Sequence, residues 1–429
     1  MKEKRDKIDR RNFLKTVGAA GLSSVLVGCK GKAEKQQDPP EPEASIAPQE
    51  EKYVQMPRRK LGKTGIDVPC LSFGTLRVDT ENQILLRKTL QSGIDYWDTA
   101  YSYSGGNTEL GIGKFLSKNP GVRKKLFLVT KASGAEKEPT PKAVVAAVEE
   151  RLQTSLERLN TNYVDLYYGV HGMAEPVRLT DELKQWAEDA KKRGLIRFFG
   201  FTTHANMAKC LAAAARLDWI DVIMTSYSFR LMQDEELNVA VEACHKAGIG
   251  LVAMKTQGRR QKIESEEDKK LAGHFLERGF TPRQAMIKVV LEDKRFSSAC
   301  VGMPNVAILT ENVAAALDKT KLTRVDLKVF EEYAKATCSG YCAGCAHICQ
   351  SALPDVPYVS DIMRYLMYYN SYGEKEMARE LFAEIPRSVR SRLLSTNYRL
   401  AEARCPQCIP IGELIAEAVS KLAWVALPA

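Results

Sequence analysis

Short apolar runs alternate with longer amphipathic stretches from residue 56 to about 325. The runs Cys70–Gly74, Ile94–Asp98, Leu126–Lys131, Val164–Val170, Ile196–Phe201, Val222–Ser226, Ile249–Met254 and Ser298–Val301 have the length and continuous apolarity of buried strands. Between them Thr140–Leu159, Thr180–Lys192, Glu235–Ala247 and Pro282–Glu292 repeat their apolar residues at helical spacing. Eight strands, each followed by a helix, is the count that closes a parallel (β/α)8 TIM barrel of the α/β class. An open doubly wound sheet is the rival, but it usually carries a glycine fingerprint after its first strand. Here that strand runs into Thr75-Leu76-Arg77. Ahead of the barrel, Lys60–Val68 is predicted to form a hairpin that turns at Gly65.

The flanks break the pattern. Residues 1–28 combine a basic start with the short apolar stretch Thr16–Val27, too short to span a bilayer and suited to a signal peptide. Arg10-Arg11 followed by Phe13-Leu14-Lys15 resembles a twin-arginine export signal, and Leu26-Val27-Gly28-Cys29 resembles a lipoprotein box. Together they imply cleavage before Cys29, acylation of its sulfur, and a periplasmic or other extracytoplasmic protein lipid-anchored to the membrane. The plainer alternative is a frayed basic tail beside a short amphipathic helix. Residues 29–55, rich in Lys, Glu, Gln and Pro, read as a disordered tether. A domain of different character occupies 326–429.

Composition adds little beyond this. The chain of 429 residues is 45% hydrophobic and 27% charged, ordinary for a globular protein. Its net charge of +10 is partly local, because residues 1–28 hold seven Lys or Arg against three acids. The remainder is too diffuse for a phosphate-tracking stripe, so no nucleic-acid partner is expected.

Polar residues gather where the strands end. Asp98, Lys131 and His171 stand at C-terminal strand edges, with Tyr103 five residues beyond Asp98; that face is where barrel active sites are built. In this context Arg59-Lys60-Leu61-Gly62-Lys63-Thr64-Gly65, Gly93–Tyr103 with its Asp98-Thr99-Ala100 core, Val129-Thr130-Lys131, Asp165-Leu166-Tyr167 leading to His171, Gly194-Leu195-Ile196-Arg197 and Glu311-Asn312 resemble the aldo-keto reductase family. The resemblance implies a small carbonyl or alcohol substrate and NAD(P)H as hydride carrier. It makes Tyr103 the general acid, with Lys131 lowering the phenol's pKa from near 10. Asp98 would hold Lys131 charged and in place, and His171 would donate to the developing oxyanion.

The cofactor positions depart from the family pattern. A Ser-Asn pair and a Gln that hold the nicotinamide amide are matched by Thr202, Thr203 and Met224. The stacking aromatic is matched by Met254, with Lys255 beside it, and Ile308 falls where an Arg would clamp a 2′-phosphate. Glu311-Asn312 remain, but the phosphate clamp is missing, so NAD is as acceptable as NADP.

Of 11 cysteines, Cys70, Cys210, Cys244 and Cys300 lie in apolar stretches and read as buried packing residues. Six others stand in the tail: Cys338, Cys342, Cys345, Cys349, Cys405 and Cys408. Thiolates so spaced suit a soft-metal centre, either zinc or iron–sulfur. Cys405-Pro406-Gln407 through Ile411 resembles the end of ferredoxin-like domains fused to aldo-keto reductases. This implies a mostly helical domain with one 4Fe-4S cluster on Cys342, Cys345, Cys349 and Cys405, with Cys338 or Cys408 as substitutes. Structural zinc and paired disulfides are the alternatives. The stripes Ile362, Tyr365, Leu366 and Tyr369, on the expected helix Val359–Asn370, read as core of that domain. A second expected helix runs Glu374–Phe382. Two rival functions stay open: a redox protein fed through the cluster by a partner protein without nicotinamide, and a non-catalytic ligand-binding barrel in a membrane complex.

Overall fold

A computed structural model describes residues 55–76, 78, 81–257 and 265–423. The expected signal segment, Cys29 and nearly all of the expected tether lie outside the described residues. Among the described residues no helix is long and apolar enough to cross a membrane.

A short antiparallel pair, β1 (Arg58–Lys60) and β2 (Asp67–Pro69), precedes the barrel. One turn of 3-10 helix joins them, and Gly65 closes it at φ 73°. The barrel strands are β3 (Leu71–Gly74), β4 (Tyr96–Asp98), β5 (Phe127–Lys131), β6 (Val164–His171), β7 (Ile196–Thr203), β8 (Val222–Ser226), β9 (Gly250–Met254) and β10 (Ser298–Gly302). They pair in parallel in chain order, and β10 closes on β3. Each expected strand is present, with ends shifted by a residue or two. Strand β4 starts late because Ile94 donates its N–H to Thr89 O, completing the preceding helix end.

The interior and exterior of the barrel form separate packing layers. Inside, Leu61 from the β1–β2 turn meets Tyr96, Phe127, Val129, Leu166, Tyr168, Val222 and Val252. The N-terminal end of the barrel is thus filled by side chains, and the chemistry is confined to the other end. Outside, the strands pack on helices Gln83–Gln91, Asn107–Lys118, Pro141–Arg158, Asp181–Lys192, Met207–Ala214, Glu235–Lys246, Pro282–Glu292 and Val306–Leu317. Thr140 and Thr180 are N-caps, accepting from Ala143 N and Leu183 N, rather than first helical residues. Helix Arg324–Ala336 also joins the barrel's outer layer, through Phe330 against Phe229 and Phe275.

The tail has its own core. Ile362, Leu366, Ala378, Phe382, Leu393, Ile411 and Ile415 pack together among helices Val359–Met367, Lys375–Ala383 and Ile411–Leu422. A π-helical turn, Tyr368–Tyr372, prolongs the first of these and ends at Gly373 in the left-handed region. Ile362, Tyr365 and Leu366 are core residues as expected, with Tyr369 partly buried against them; Tyr365 also borders the barrel mouth.

Strand packing leaves Gly200 no room: a Cβ there would lie 1.8 Å from Val222 O on the neighbouring strand. Gly273, inside helix Glu266–Glu277, faces open space. Gly200→Ala is expected to lose roughly 1–3 kcal/mol to overpacking. Gly273→Ala should gain about 0.5–1 kcal/mol from helix propensity. Urea midpoints of the two variants check both signs.

Candidate active site

The four expected catalytic groups arrive from three adjacent strands. Asp98, Lys131 and His171 are the last residues of β4, β5 and β6. In register Asp98 stands opposite Val129 and Lys131 opposite Tyr168, and all three side chains line the cavity at the C-terminal face. Tyr103 opens the 3-10 turn Tyr103–Gly106 just after β4. That turn is braced from below by Arg158, which donates to Tyr101 O at 2.8 Å and pairs with the buried Glu109 at 3.3 Å. Gly106 is required there, since a Cβ would lie 2.5 Å from the Arg158 guanidinium carbon.

Lys131 is the hub. Its Nζ donates to Asp98 Oδ1 at 2.5 Å, to Thr99 O at 2.7 Å and to Tyr103 Oη at 3.2 Å. The Lys131 side chain is only 1% exposed. Burial opposes its charge, but Asp98 and the Tyr103 oxygen outweigh that and hold its pKa above the ordinary lysine value. The Tyr103 and His171 rings stand edge to face, 6.2 Å between centroids. Ser133 Oγ contacts His171 Nδ1 at 2.7 Å. Burial, reinforced by Lys131, Arg364, Lys137 and Lys255, pushes His171 down to about 3.

Lys131 acts on Tyr103 in the expected direction, pulling the phenol down through its charge and its hydrogen bond, but burial is the larger effect and leaves the phenol raised to about 12.

These groups line a cavity of about 1490 Å³ that continues past Thr202, Met224, Met254, Lys255 and Gln257 to Thr281, Arg283 and Ile308. Its other wall belongs to the tail, through Asp361, Arg364, Tyr365, Tyr368 and Glu384. Thr202 lines it, and its Oγ1 accepts from Gly172 N at 2.9 Å. Thr203 does not belong to the lining; its hydroxyl contacts Met173 O at 2.7 Å and Ala205 O at 3.0 Å. Its pairing with Thr202 as a cofactor residue is therefore corrected, because alternation along β7 turns it to the other face. Asn312 is fully buried behind Gln257, which donates to its Oδ1 at 3.3 Å; its Nδ2 has no partner among the described residues. Lys255, in the left-handed region at φ 57°, directs its amine to Tyr368 Oη, 3.5 Å away.

Sequence reasoning missed two groups of this cavity. His204, directly after β7, lines it, with Nδ1 unpartnered among the described residues; its place one residue past a strand end was the available signal. Arg364 and its tyrosine neighbours carried none, since they come from the second core. Cys300, expected to be a packing residue, is buried yet also borders the cavity.

A second, small cavity is lined by Cys342, Cys345, Cys349 and Cys405, with Val359, Met363, Ile409 and Ile411 around them. Cys338 and the exposed Cys408 lie outside it. Four thiols in an apolar shell form a soft donor set. Among the described residues, however, no three His, Cys, Asp or Glu side chains form a group that could hold a metal ion. The cysteine loop rests on the barrel: Gly344 O accepts from Asn206 N at 2.8 Å, and Asn206 Oδ1 accepts from His347 N at 2.9 Å.

A closed eight-stranded barrel with phenol, ammonium, carboxylate and imidazole at its C-terminal mouth defines a barrel oxidoreductase. Residues 71–332 match the Aldo/keto reductase family, and the chain belongs to that family. It is 26% identical over 309 residues to the uncharacterized oxidoreductase YqkF of Bacillus subtilis (strain 168), covering 65% of this chain and 97% of that protein. The fold is similar to aldo-keto reductase AKR11C1 from Bacillus halodurans in its holo form, with a TM-score of 0.53 at 23% identity over 66% of this chain and 97% of that one. It also resembles the thermostable aldo-keto reductase Tm1743, solved with the inhibitor epalrestat, with a TM-score of 0.54 at 24% identity over 65% of this chain and all of that one.

Because burial disfavours the imidazolium, His171 is expected to stay neutral at every pH above about 3. Its proton is taken up near 6.5 only on unfolding, so its contribution to stability falls as pH drops from about 6.5 towards 3. Imidazole ¹⁵N shifts between about pH 5 and 8 should show no titration at His171; a midpoint near 6.5 contradicts the burial argument.

Proposed function

We propose that this protein interconverts a small carbonyl compound and its alcohol, with NAD(P)H as hydride source and Tyr103 as acid–base residue. The observation that carries this is the contact of Lys131 Nζ with Tyr103 Oη at 3.2 Å, beside an uncharged His171, in one cavity. The nicotinamide, when bound, supplies the hydride. As the carbonyl carbon accepts it, the C=O π pair moves onto oxygen, which becomes basic enough to take the Tyr103 proton. Lys131 holds the resulting phenolate until solvent reprotonates it. With Ser133 donating to Nδ1, His171 carries its proton on Nε2 and offers it to the same oxygen.

The cavity runs from Tyr103 to Arg283 and Ile308, which is the room a dinucleotide would use, but Asn312 is fully buried behind Gln257 and outside that lining. At the nicotinamide end the Thr202 hydroxyl and His204 Nδ1 are available, while Met224 offers no hydrogen bond. NAD is as well accommodated as NADP.

The tail is proposed to hold one 4Fe-4S cluster on Cys342, Cys345, Cys349 and Cys405, for electron transfer or structure. What supports this is that the four thiols share one apolar cavity and that Cys338 and Cys408 do not. A second reading, in which a partner redox protein delivers electrons through the cluster without nicotinamide, is favoured by the seating of the cysteine loop on the end of β7. Export by the twin-arginine route, which carries folded proteins, and lipid anchoring at Cys29 on the periplasmic side accord with a cofactor loaded before export.

Tyr103→Phe should reduce kcat/KM for aldehyde reduction by roughly 10²- to 10⁴-fold with nucleotide affinity unchanged. Equal activity in the variant ends the proposed role. Anaerobically purified protein should contain iron and acid-labile sulfide that Cys349→Ser removes. Stoichiometric zinc would replace the cluster, and absence of bound or bindable nucleotide would favour the second reading.

A further inference from the structure

We infer that the tail selects the substrate of the proposed reductase: tyrosines on helix Val359–Met367 and the π-helical turn after it receive an uncharged, flat aryl body joined to the carbonyl. The inference rests on the reductase reading for the place of the carbonyl, at Tyr103 and His171.

Four tyrosines of the tail border the large cavity: Tyr358, Tyr365, Tyr368 and Tyr372. Their spacing of seven, three and four residues sets them on one face of a continuous helical run. Tyr358 is the N-cap of helix Val359–Met367, Tyr365 lies in its last turn, and Tyr368 and Tyr372 bound the π-helical turn. Ile362 and Leu366, on the adjoining face, pack in the tail's own core. A π-helical turn is rare and recurs at functional sites. Here the two rings that bound it are stacked, 5.8 Å between centroids at 23°. Met377 and Leu381, from helix Lys375–Ala383, continue the apolar wall beside Ile385. The hydroxyl of Tyr368 faces Lys255 Nζ at 3.5 Å, and that of Tyr365 accepts from Arg364. What these two residues add to the chamber is therefore ring surface rather than hydrogen-bonding capacity.

The electrostatics of the chamber suit an uncharged body. Among the described residues its lining carries seven Lys or Arg and seven Asp or Glu, so no net charge is left for a ligand to balance. On the tail's wall Arg364 is paired with Asp361 at 2.6 Å, and Glu384 with Lys137. Burial drives the Lys255 amine towards its neutral form. A charged substrate would give up its hydration here for no matching gain, whereas an aryl face gives up little. The volume of about 1490 Å³ exceeds the roughly 300–1,000 Å³ of a pocket for one small molecule, which leaves room for a ring beside a nucleotide.

The test compares 3-phenylpropanal, 3-cyclohexylpropanal and propanal on the holoprotein, three aldehydes with the same reacting end. 3-Phenylpropanal should show a kcat/KM at least about tenfold above propanal. It should also exceed the more hydrophobic cyclohexyl analogue by about threefold or more, because stacking on the tyrosines favours the flat ring. Tyr358→Leu and Tyr372→Leu should each lower kcat/KM for 3-phenylpropanal roughly 3- to 10-fold, chiefly through KM, with propanal changed by less than about twofold. Tyr372→Phe, which keeps the ring, should stay within about twofold of the parent for all three. Equal use of the three aldehydes, or preference for the cyclohexyl compound, overturns the inference. So does an equal loss on propanal and 3-phenylpropanal, which would make the tyrosines structural, or a selective loss of nucleotide affinity, which would assign them to the cofactor. If no aldehyde is reduced, the reductase reading has failed, and calorimetry with 3-phenylpropan-1-ol decides the ring wall alone. Binding that Tyr372→Leu weakens about threefold or more upholds it, and no binding, or binding that the variant leaves unchanged, overturns it.

Discussion

A buried ammonium is the constraint on which the mouth of this barrel is built. Lys131 is almost completely removed from water, and an ion in that position is tolerated only when its hydrogen bonds are met. Asp98 and the Thr99 carbonyl meet two of them, and both come from the strand end next door. The third falls to Tyr103, so the reacting phenol is positioned by the same need that keeps the lysine charged. Parallel register between β4 and β5 is therefore a chemical requirement as much as a packing one.

Most of the architecture was legible because each strand is buried on both faces. Such strands write themselves as uninterrupted apolar runs between amphipathic helices, and all eight were found where those runs stand. The catalytic groups were legible for a related reason: a polar residue ending an apolar run has few places to go except the barrel mouth. The same logic failed one residue further along. Thr202 and Thr203 look equivalent in a string of letters, but β7 extends through both and its alternation sends their hydroxyls to different neighbours.

What could not be read was anything that depends on two distant segments meeting. The phenol's raised proton affinity comes from its burial at the barrel mouth, against the pull of Lys131. Arg364, on a helix of the tail, borders the large cavity only because the tail packs against the barrel mouth. That docking turns on small local permissions. Gly344, at φ 81°, lies so close to His204 O that a Cβ would come within 2.4 Å of it.

Helix Val359–Met367 has a geometric consequence of its own. Val359, Ser360 and Met363 look into the cysteine cavity, while Asp361, Arg364 and Tyr365 look into the large one. Two rooms thus share a single party wall, less than three turns long, and a rigid rod cannot shift on one side while standing still on the other. A residue of this helix therefore packs under constraints from both sides, and its neighbours in either chamber limit which substitutions it can accept.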